Sequence, residues 1–273
     1  NGHSLALRSD GTVWAWGEND YSELGRDGYA SYTPIQVPGL TNIRSISASE
    51  TNNFVIKANS RLAAWGYGPD GELGNGLTNY SNTPILTASA LSTAKAIAQG
   101  WSHSLILLAD GTVRTWGYNA YGQLGNGTQV NNPNPVVVQD VGGGGSLSNV
   151  KALSGGAFHS LALRADGTVV AWGYNGYGQL GNGSTTISTT PVVVSGVGGN
   201  GNLINVAAIA AGGYHSLALI ADGTVRSWGY NGDGELGNGS TTYSATPVIV
   251  HDVGGSGSLQ NVVSVAGGWG HSL

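Results

Sequence analysis

Short apolar runs separated by glycine-rich turns predict an all-β chain in which four strands form one unit. The stretch 205–250 shows this most clearly, with β-type runs at 205–211, 215–220, 224–228 and 246–250. Asp222-Gly223, between the second and third runs, predicts a type I′ hairpin turn, because glycine readily takes the positive φ that this turn needs. The proline near the start of the fourth run suits an edge strand, where one missing N–H does least harm.

The same four-strand pattern recurs along the whole chain. The phrase H-S-L-A-L-x-x-D-G-T-V-x-x-W-G-Y-N-x-x-G-x-L-G-N-G places its tryptophan at Trp16, Trp65, Trp116, Trp172 and Trp228, at spacings of 49, 51, 56 and 56 residues. Before each tryptophan stand an always apolar position (Val13, Leu62, Val113, Val169, Val225) and an always small one (Ala15, Ala64, Thr115, Ala171, Ser227). Because neighbouring strand side chains point to opposite faces, both faces of each sheet carry packing residues. We predict a β-propeller of four-stranded antiparallel blades, with residues 1–273 as one propeller domain or propeller segment.

Composition narrows the function classes. Charged residues make up 9% of the 273 residues and the net charge is −5, so the basic surface that nucleic-acid binding requires is missing. Cysteine is absent, which excludes disulfides and thiolate metal sites. No apolar run approaches the ~20 residues of a membrane-spanning helix. The second repeat differs most from the repeated phrase. Residues 52–56 read N-N-F-V-I in place of H-S-L-A-L, and Asn59-Ser60 replaces Asp-Gly.

The combination of H-S-L-A-L, D-G-T-V, W-G and Q-L-G-N-G resembles the repeats of the regulator of chromosome condensation family, in the glycine-rich form common in bacteria. The resemblance covers essentially the whole chain and implies a propeller with blades of about 50 residues. It implies several functions, because the eukaryotic founder is a guanine nucleotide exchange factor that docks on chromatin, and some bacterial relatives are secreted inhibitors of β-lactamases. Fold alone therefore does not decide the function.

The repeat count raises the question of ring closure. Members of the family typically close with seven blades, whereas this chain supplies about five. It contains no methionine, begins inside the phrase and ends just after a first-strand run at 261–266. We expect an incomplete arc of a longer protein. The alternative is a closed five-blade ring in which the C-terminal run completes the N-terminal blade. An open arc would expose two sheet faces and permit self-association.

Two sets of aromatic residues are the candidate partner-binding residues. The first set lies in the glycine-rich loops just before the repeated histidines, and the second in the loops after the blade tryptophan. The first contains Trp101, Phe158, Tyr214 and Trp269; the second contains Tyr21, Tyr67, Tyr121 and Tyr177, with Asp233 in the fifth repeat. We expect the first set to gather near the axis, either as protein-binding anchors or as plugs of the central channel. For the second set, packing between blades, sugar stacking and a protein interface are all open.

The remaining repeated polar residues are interpreted as scaffold. His3, His103, His159, His215 and His271 recur in register, but such positions on different blades lie too far apart for one metal ion, so we expect each imidazole to fix a turn. The acidic loops at 18–23 and 231–235 lack the ligand set of a calcium loop. The Leu-Gly-Asn-Gly turns lack the lysine and the helix of a phosphate loop. Ser and His are adjacent in the repeats and point to opposite faces, which predicts no catalytic pair.

The leading hypothesis is a non-enzymatic scaffold, exported or displayed on a bacterial surface, that binds a protein partner through one loop face. It requires no cofactor, metal, nucleic acid or membrane span. The first alternative is a carbohydrate-binding module that uses the tyrosine loops. The second, nucleotide exchange on a small GTPase, rests on the family resemblance alone. Four sequons, Asn79, Asn126, Asn182 and Asn238, matter only in a source that glycosylates exported proteins.

Overall fold

A computed structural model describes residues 2–87 and 91–273 and contains five antiparallel sheets. The strands of blade 1 are β1 His3–Leu7, β2 Val13–Gly17 and β3 Ser31–Gln36; of blade 2, β4 Ile43–Ala48, β5 Asn52–Lys57, β6 Leu62–Gly66 and β7 Ser81–Leu86; of blade 3, β8 Ala94–Gln99, β9 His103–Leu108, β10 Val113–Gly117 and β11 Asn132–Val137; of blade 4, β12 Val150–Gly155, β13 His159–Arg164, β14 Val169–Gly173 and β15 Ser188–Val193; of blade 5, β16 Val206–Ala211, β17 His215–Ile220, β18 Val225–Gly229 and β19 Ser244–Ile249. The predicted four-stranded antiparallel unit is therefore confirmed.

The blades are arranged around an axis with their first strands innermost. Consecutive strands pair within each blade, and the first strands of neighbouring blades, β4, β8, β12 and β16, contact one another. The fourth strand is the outer edge, as its proline predicted, although Pro247 lies inside β19 rather than at its start. No helix in the described ranges is long and apolar enough to cross a bilayer.

The Asp-Gly turns differ from the predicted type. In blade 5 the N–H of Ile220 bonds the carbonyl of Thr224, so three residues form the loop. Only Gly223 has a positive φ (82°), whereas a type I′ turn requires two such residues. Asp222 instead accepts hydrogen bonds from the N–H and the hydroxyl of Thr224, which favours the common three-residue turn.

The hydrophobic core lies between the blades, where the repeated tryptophan of one blade enters the preceding blade. Trp172 is fully buried against Leu105, Leu107 and Val113 of blade 3. Its Nε1–H donates to the carbonyl of Gln123 at 2.8 Å. The equivalent pairs are Trp65 with Glu23, Trp116 with Glu72 and Trp228 with Gln179, at 2.8, 2.6 and 2.8 Å.

In blades 1 to 4, the glycine of the Leu-Gly turn lies against the indole of the next blade. Gly181 has φ +65°, and a Cβ there would lie 2.7 Å from Nε1 of Trp228. The glycine-rich turn is thus required by close approach as well as by backbone conformation.

The sheets do not close within the described residues. The first sheet ends at β1, and the C-terminal segment folds back on itself through a bridge between Gly267 and Ser272. Val262 and Val265 of this segment pack against blade 5. The segment therefore continues the arc beyond blade 5, and the alternative of a closed five-blade ring is wrong.

Candidate functional site

Two sets of loops come together on one face of the arc. The first and third strands of a blade run in the same direction, since neighbouring strands are antiparallel. The loops that follow these two strands therefore lie on the same side, which we call the loop face. The loops after the second and fourth strands form the opposite side, which we call the turn face.

The first candidate set divides into two positions that point in different directions. Trp101 and Trp269 stand two residues before a histidine, whereas Phe158 and Tyr214 stand one residue before it. In blades 2 to 5 and in the C-terminal segment, the position two residues before His or Asn lines an axial cavity of about 760 Å³; its occupants are Glu50, Trp101, Ala157, Gly213 and Trp269. Trp101 and Trp269 meet across this cavity edge to face, with ring centroids 5.2 Å apart.

The whole first candidate set joins Tyr121 and Tyr177 of the second set in one continuous aromatic surface, which we call the aromatic face. Phe158 contacts Trp101 and Tyr121 at centroid distances of 5.3 Å each, and Tyr214 contacts Tyr177 at 5.8 Å and Trp269 at 5.6 Å. The nine connected rings are Trp101, Tyr118, Tyr121, Phe158, Tyr174, Tyr177, Tyr214, Tyr230 and Trp269. Trp269 is 57% exposed and Tyr177 36%, so the surface is open to solvent.

Tyr67 is not the structural equivalent of Tyr21 and Tyr121, with which the sequence analysis grouped it. Its N–H bonds the carbonyl of Thr51, as the N–H of Tyr118 bonds Ser102. The residue of blade 2 that matches Tyr21 and Tyr121 is Asp70, whose N–H bonds a Glu72 carboxylate oxygen. With Tyr21 and Tyr80, Tyr67 forms a separate cluster at blades 1 and 2, with centroid distances of 5.1 and 5.3 Å to Tyr67.

Sequence reasoning missed the tyrosine that follows Trp-Gly. Tyr118, Tyr174 and Tyr230 connect the two candidate sets, for example through Tyr118 and Phe158 at 6.1 Å and Tyr174 and Tyr214 at 6.0 Å. Burial raises the pKa of Tyr118 and Tyr174 above its usual value, so both hydroxyls stay protonated at neutral pH. The repeated Y-N of the phrase was the available signal, but its repetition marked it as scaffold.

A buried asparagine holds the loop after the third strand in place in blades 1, 3, 4 and 5. The side-chain oxygen of Asn175 accepts from the N–H of Leu180, and its amide nitrogen donates to the carbonyls of Ser184 and Thr186. Asn19, Asn119 and Asn231 act in the same way. The sequon residues Asn126, Asn182 and Asn238 accept from the backbone two residues on. These loops are thus fixed from within rather than loosely tethered.

The repeated histidines connect blades instead of fixing their own turns. Nε2 of His103 lies 2.9 Å from Oγ of Ser160 in the next blade, and that hydroxyl donates to the carbonyl of Gln123. His159 pairs with Ser216 in the same way. Burial lowers the pKa of His103 and His159 to about 3, so both imidazoles are neutral.

Ser and His therefore do meet, across blades, and the expectation that they point apart holds only within one repeat. His103 and Ser160 are 1% and 0% exposed. The Ser160 hydroxyl proton is committed to a backbone carbonyl, and no substrate can reach it. The geometry of a nucleophile and its base is present, yet it serves packing.

The acidic loop residues turn back onto their own backbone. Glu23 and Glu235 are buried, and each accepts from the N–H two residues before it. Glu72 does the same, and burial, together with the Asp70 charge, raises its pKa to about 7. No group of three metal-ligating side chains is present among the described residues.

Charge is divided unevenly between the two faces. The loop face carries the acidic residues Glu18, Asp20, Glu23, Asp27, Glu50, Asp70, Glu72, Asp233 and Glu235 and the single basic residue Arg26. All other lysines and arginines lie on strands or at the turn face. The loops of blades 3 and 4, which carry most of the aromatic face, contain no charged residue. The loop face is therefore an uncharged aromatic surface flanked by acids.

Comparison with known proteins agrees with this architecture. The family described as "Regulator of chromosome condensation (RCC1) repeat" matches residues 10–56, 110–163, 166–219 and 222–273. Human E3 ubiquitin-protein ligase HERC2 is 31% identical over 99% of this chain, and the Arabidopsis thaliana ultraviolet-B receptor UVR8 is 28% identical over 99%. The chain spans 6% of the length of HERC2 and 60% of that of UVR8.

Two solved structures share the fold. Human WBSCR16 superposes with a TM-score of 0.84 and 25% identity, over 100% of this chain and 69% of that one. Prp20p of Saccharomyces cerevisiae superposes with a TM-score of 0.79 and 24% identity, over 98% and 65%. The repeat matches cover well over half of the sequence, and the blades have the expected form. The chain therefore belongs to the regulator of chromosome condensation repeat family.

Proposed function

We propose that this chain is a non-enzymatic interaction scaffold that binds a protein partner through its aromatic face. The observation that carries the proposal is the merging of nine aromatic side chains, from two series of loops, into one solvent-open surface. Tyrosine and tryptophan dominate the energetics of protein interfaces because they offer large apolar area with a polar tip.

The way the loops are held supports this proposal. Buried asparagines such as Asn119 and Asn175 fix the loops through several hydrogen bonds each. A surface fixed before binding loses little conformational entropy when a partner arrives. The aromatic face is thus prepared for recognition and not ordered by it.

A protein of the same fold that binds other proteins gives a second line of support. The structure of Prp20p was solved together with a study of its binding to Gsp1p and histones, and Prp20 was also solved bound to Kap60. These associations are those of Prp20 with its own partners. They show that a propeller of this fold serves as a protein-binding platform.

Footprinting of a complex tests the proposal. The chain is used to capture partners from an extract of its source, and hydroxyl-radical footprinting then maps the protected side chains. We expect protection of Tyr177 and Trp269, and loss of capture by Tyr177→Ala and Trp269→Ala. Tyr32→Ala is the matched control, because Tyr32 is 97% exposed and lies outside the aromatic face. Protection confined to the turn face, or equal loss with Tyr32→Ala, would overturn the proposal.

The two alternative functions are separate arms of the same test. A glycan array with hits that depend on Tyr121 and Tyr177 would replace the proposal by sugar binding. Accelerated nucleotide release from a small GTPase would replace it by exchange activity. No feature of the described residues favours either alternative over a protein partner.

Export to a bacterial surface belongs to the proposal as a prediction from the sequence. It rests on the low charge and on the resemblance to the bacterial form of the repeats. Fractionation of source cells with an antiserum against this chain tests it, and recovery from the cytoplasm alone would contradict it.

A further inference from the structure

We infer that the axial cavity of the loop face is a site for a cationic side chain, a lysine or an arginine, presented by the protein partner. The inference rests on the proposed function and deepens it by naming the chemistry of the partner. It starts from the five residues that line the cavity mouth at equivalent positions, namely Glu50, Trp101, Ala157, Gly213 and Trp269.

Half of the residues that line the cavity are glycines. Its wall contains Gly100, Gly155, Gly156, Gly212, Gly213, Gly267 and Gly268. A Cβ on Gly155 would lie 2.6 Å from the backbone nitrogen of Gly100, and one on Gly267 would lie 2.6 Å from that of Gly212. These positions admit no side chain because the first strands of neighbouring blades approach closely there. The cavity that these strands surround measures about 760 Å³ and is the largest of the described cavities.

Glu50 is the one ionisable side chain among the cavity-lining residues. It stands two residues before Asn52, in the position that Trp101 occupies before His103, so it points to the same axial space. Its carboxylate has no hydrogen bond and no ion pair with another described residue. The other loop-face glutamates, Glu23, Glu72 and Glu235, are bonded to backbone N–H groups. Glu50 is therefore available to a ligand.

Two indoles accompany this carboxylate. Trp101 and Trp269 line the same cavity as Glu50 and meet each other at an interplanar angle of 85°. An aromatic face attracts cations through its quadrupole, and tryptophan does so most strongly. A carboxylate beside two indoles in a glycine-walled cavity suits a monovalent organic cation. One carboxylate alone does not suit a metal ion, which requires several oxygen ligands.

The electrostatic field of the whole loop face also favours a cationic ligand. Its acids outnumber its single arginine, and no lysine or arginine lines the cavity. Such a one-sided distribution steers positively charged partners toward the face and weakens with added salt. The apolar neighbours of the cation on the partner then meet the uncharged aromatic rings of blades 3 and 4.

Peptide binding tests the inference directly. The probes are fluorescein-labelled glycine-serine peptides that carry three lysines, three arginines or three glutamines, and fluorescence anisotropy gives the affinities. We expect both cationic peptides to bind and the glutamine peptide not to bind. Glu50→Gln and Trp269→Ala should each weaken binding about five- to tenfold, and Trp269→Phe should restore part of it. The ratio of lysine to arginine affinity distinguishes the two cations.

Glu18→Gln is the matched control, because it removes the same charge from the loop face away from the cavity. It should change the affinity less than twofold. Equal losses with Glu18→Gln and Glu50→Gln, or equal binding of the glutamine peptide, would overturn the inference. If the peptides fail while the native partner still protects Tyr177, the proposed function stands and the cation site falls. If the footprint lies on the turn face, the proposed function fails whatever the peptides do.

Discussion

The same loops contribute to the buried junctions between blades and to the aromatic face. The two regions differ in how much their residues vary from one repeat to the next. At successive junctions the same groups meet in the same geometry, as Trp172 with the Gln123 carbonyl and Trp228 with the Gln179 carbonyl, both at 2.8 Å. On the aromatic face, equivalent positions hold Trp101 in blade 3, Ala157 in blade 4 and Gly213 in blade 5. Repeated side chains therefore stabilise the arc, whereas the positions around the axial cavity change from blade to blade.

One junction shows how far the repeated set tolerates change. Between blades 2 and 3, Asn52 replaces the histidine, and its side-chain oxygen accepts from Gln99 and from Ser49. Ser104, freed from the imidazole, keeps only a long bond of 3.4 Å to the Glu72 carbonyl. The junction position thus demands a hydrogen-bonding side chain, whereas the tryptophan beside it does not vary.

The largest effect is expected from Trp172→Ala. The change removes a fully buried indole and its bond to the Gln123 carbonyl, so the free energy of unfolding should fall by about 3–5 kcal/mol. Urea denaturation followed by circular dichroism measures it. Trp14→Ala is the control, because Trp14 is only partly buried and bonds only Thr12 of its own blade. Similar losses in both variants would contradict the special role of the junction.

Adding a single methyl group at a Leu-Gly turn tests the close approach between this turn and the indole of the next blade. Gly181→Ala places a Cβ 2.7 Å from Nε1 of Trp228 at a φ of +65°, and we expect a loss of about 2–3 kcal/mol. Gly142→Ala has a similar φ of +79° with no atom within 4 Å of the added Cβ. It should cost only about 1 kcal/mol, the backbone part alone. If the two variants cost the same, the indole does not constrain the turn.

The sequence predicted the junctions better than the aromatic face, for a physical reason. Buried positions such as Val169 and Ala171 must fit identical neighbours in each blade, so they recur and are visible in one chain. The joining of Tyr118 to Phe158 depends on how far each blade rotates about the axis, which no local pattern encodes. The division of the first aromatic set into channel-lining and outward positions was hidden for the same reason, since one residue of offset changes the direction of a side chain.

Acid should weaken the junctions through their histidines. The folded pKa of His103 and His159 is about 3, below the unfolded value. The unfolded chain therefore binds protons that the folded chain does not, and stability falls as the pH drops below about 6.5. At pH 5 the loss should be about 2 kcal/mol for each histidine. Urea denaturation at pH 7 and pH 5 checks this.

His103→Asn is the variant that the chain itself suggests, because Asn52 occupies the same position in blade 2. It should reduce the difference between the two pH values. An unchanged difference would show that other groups cause the acid sensitivity.

Glu72 should act with the opposite sign. Its folded pKa is about 7, above the unfolded value of 4.5, so its stabilising contribution is present at low pH and is lost as the pH rises through 7. Glu72→Gln, which matches Gln123 and Gln179 in the next blades, should raise the free energy of unfolding by about 3 kcal/mol at pH 8 and leave it unchanged at pH 4. An equal gain at both pH values would indicate better packing instead of the removal of a buried charge.

The smallest effect on the free energy of unfolding is expected for substitutions on the aromatic face. Its size decides whether Trp269 is a protein-binding anchor or a plug of the central channel. Trp269 is 57% exposed and makes no hydrogen bond through its indole with a described residue, so Trp269→Ala should change the free energy of unfolding by less than about 1 kcal/mol. Tyr177→Ala should do the same, because its contacts are edge-to-face packing with Tyr174, Tyr214 and Tyr230 at the surface. Urea denaturation at pH 7 beside Trp172→Ala gives the comparison. A loss of 3 kcal/mol or more for Trp269→Ala would make this indole a structural plug of the channel, since a side chain kept for recognition contributes little to folding when no partner is bound.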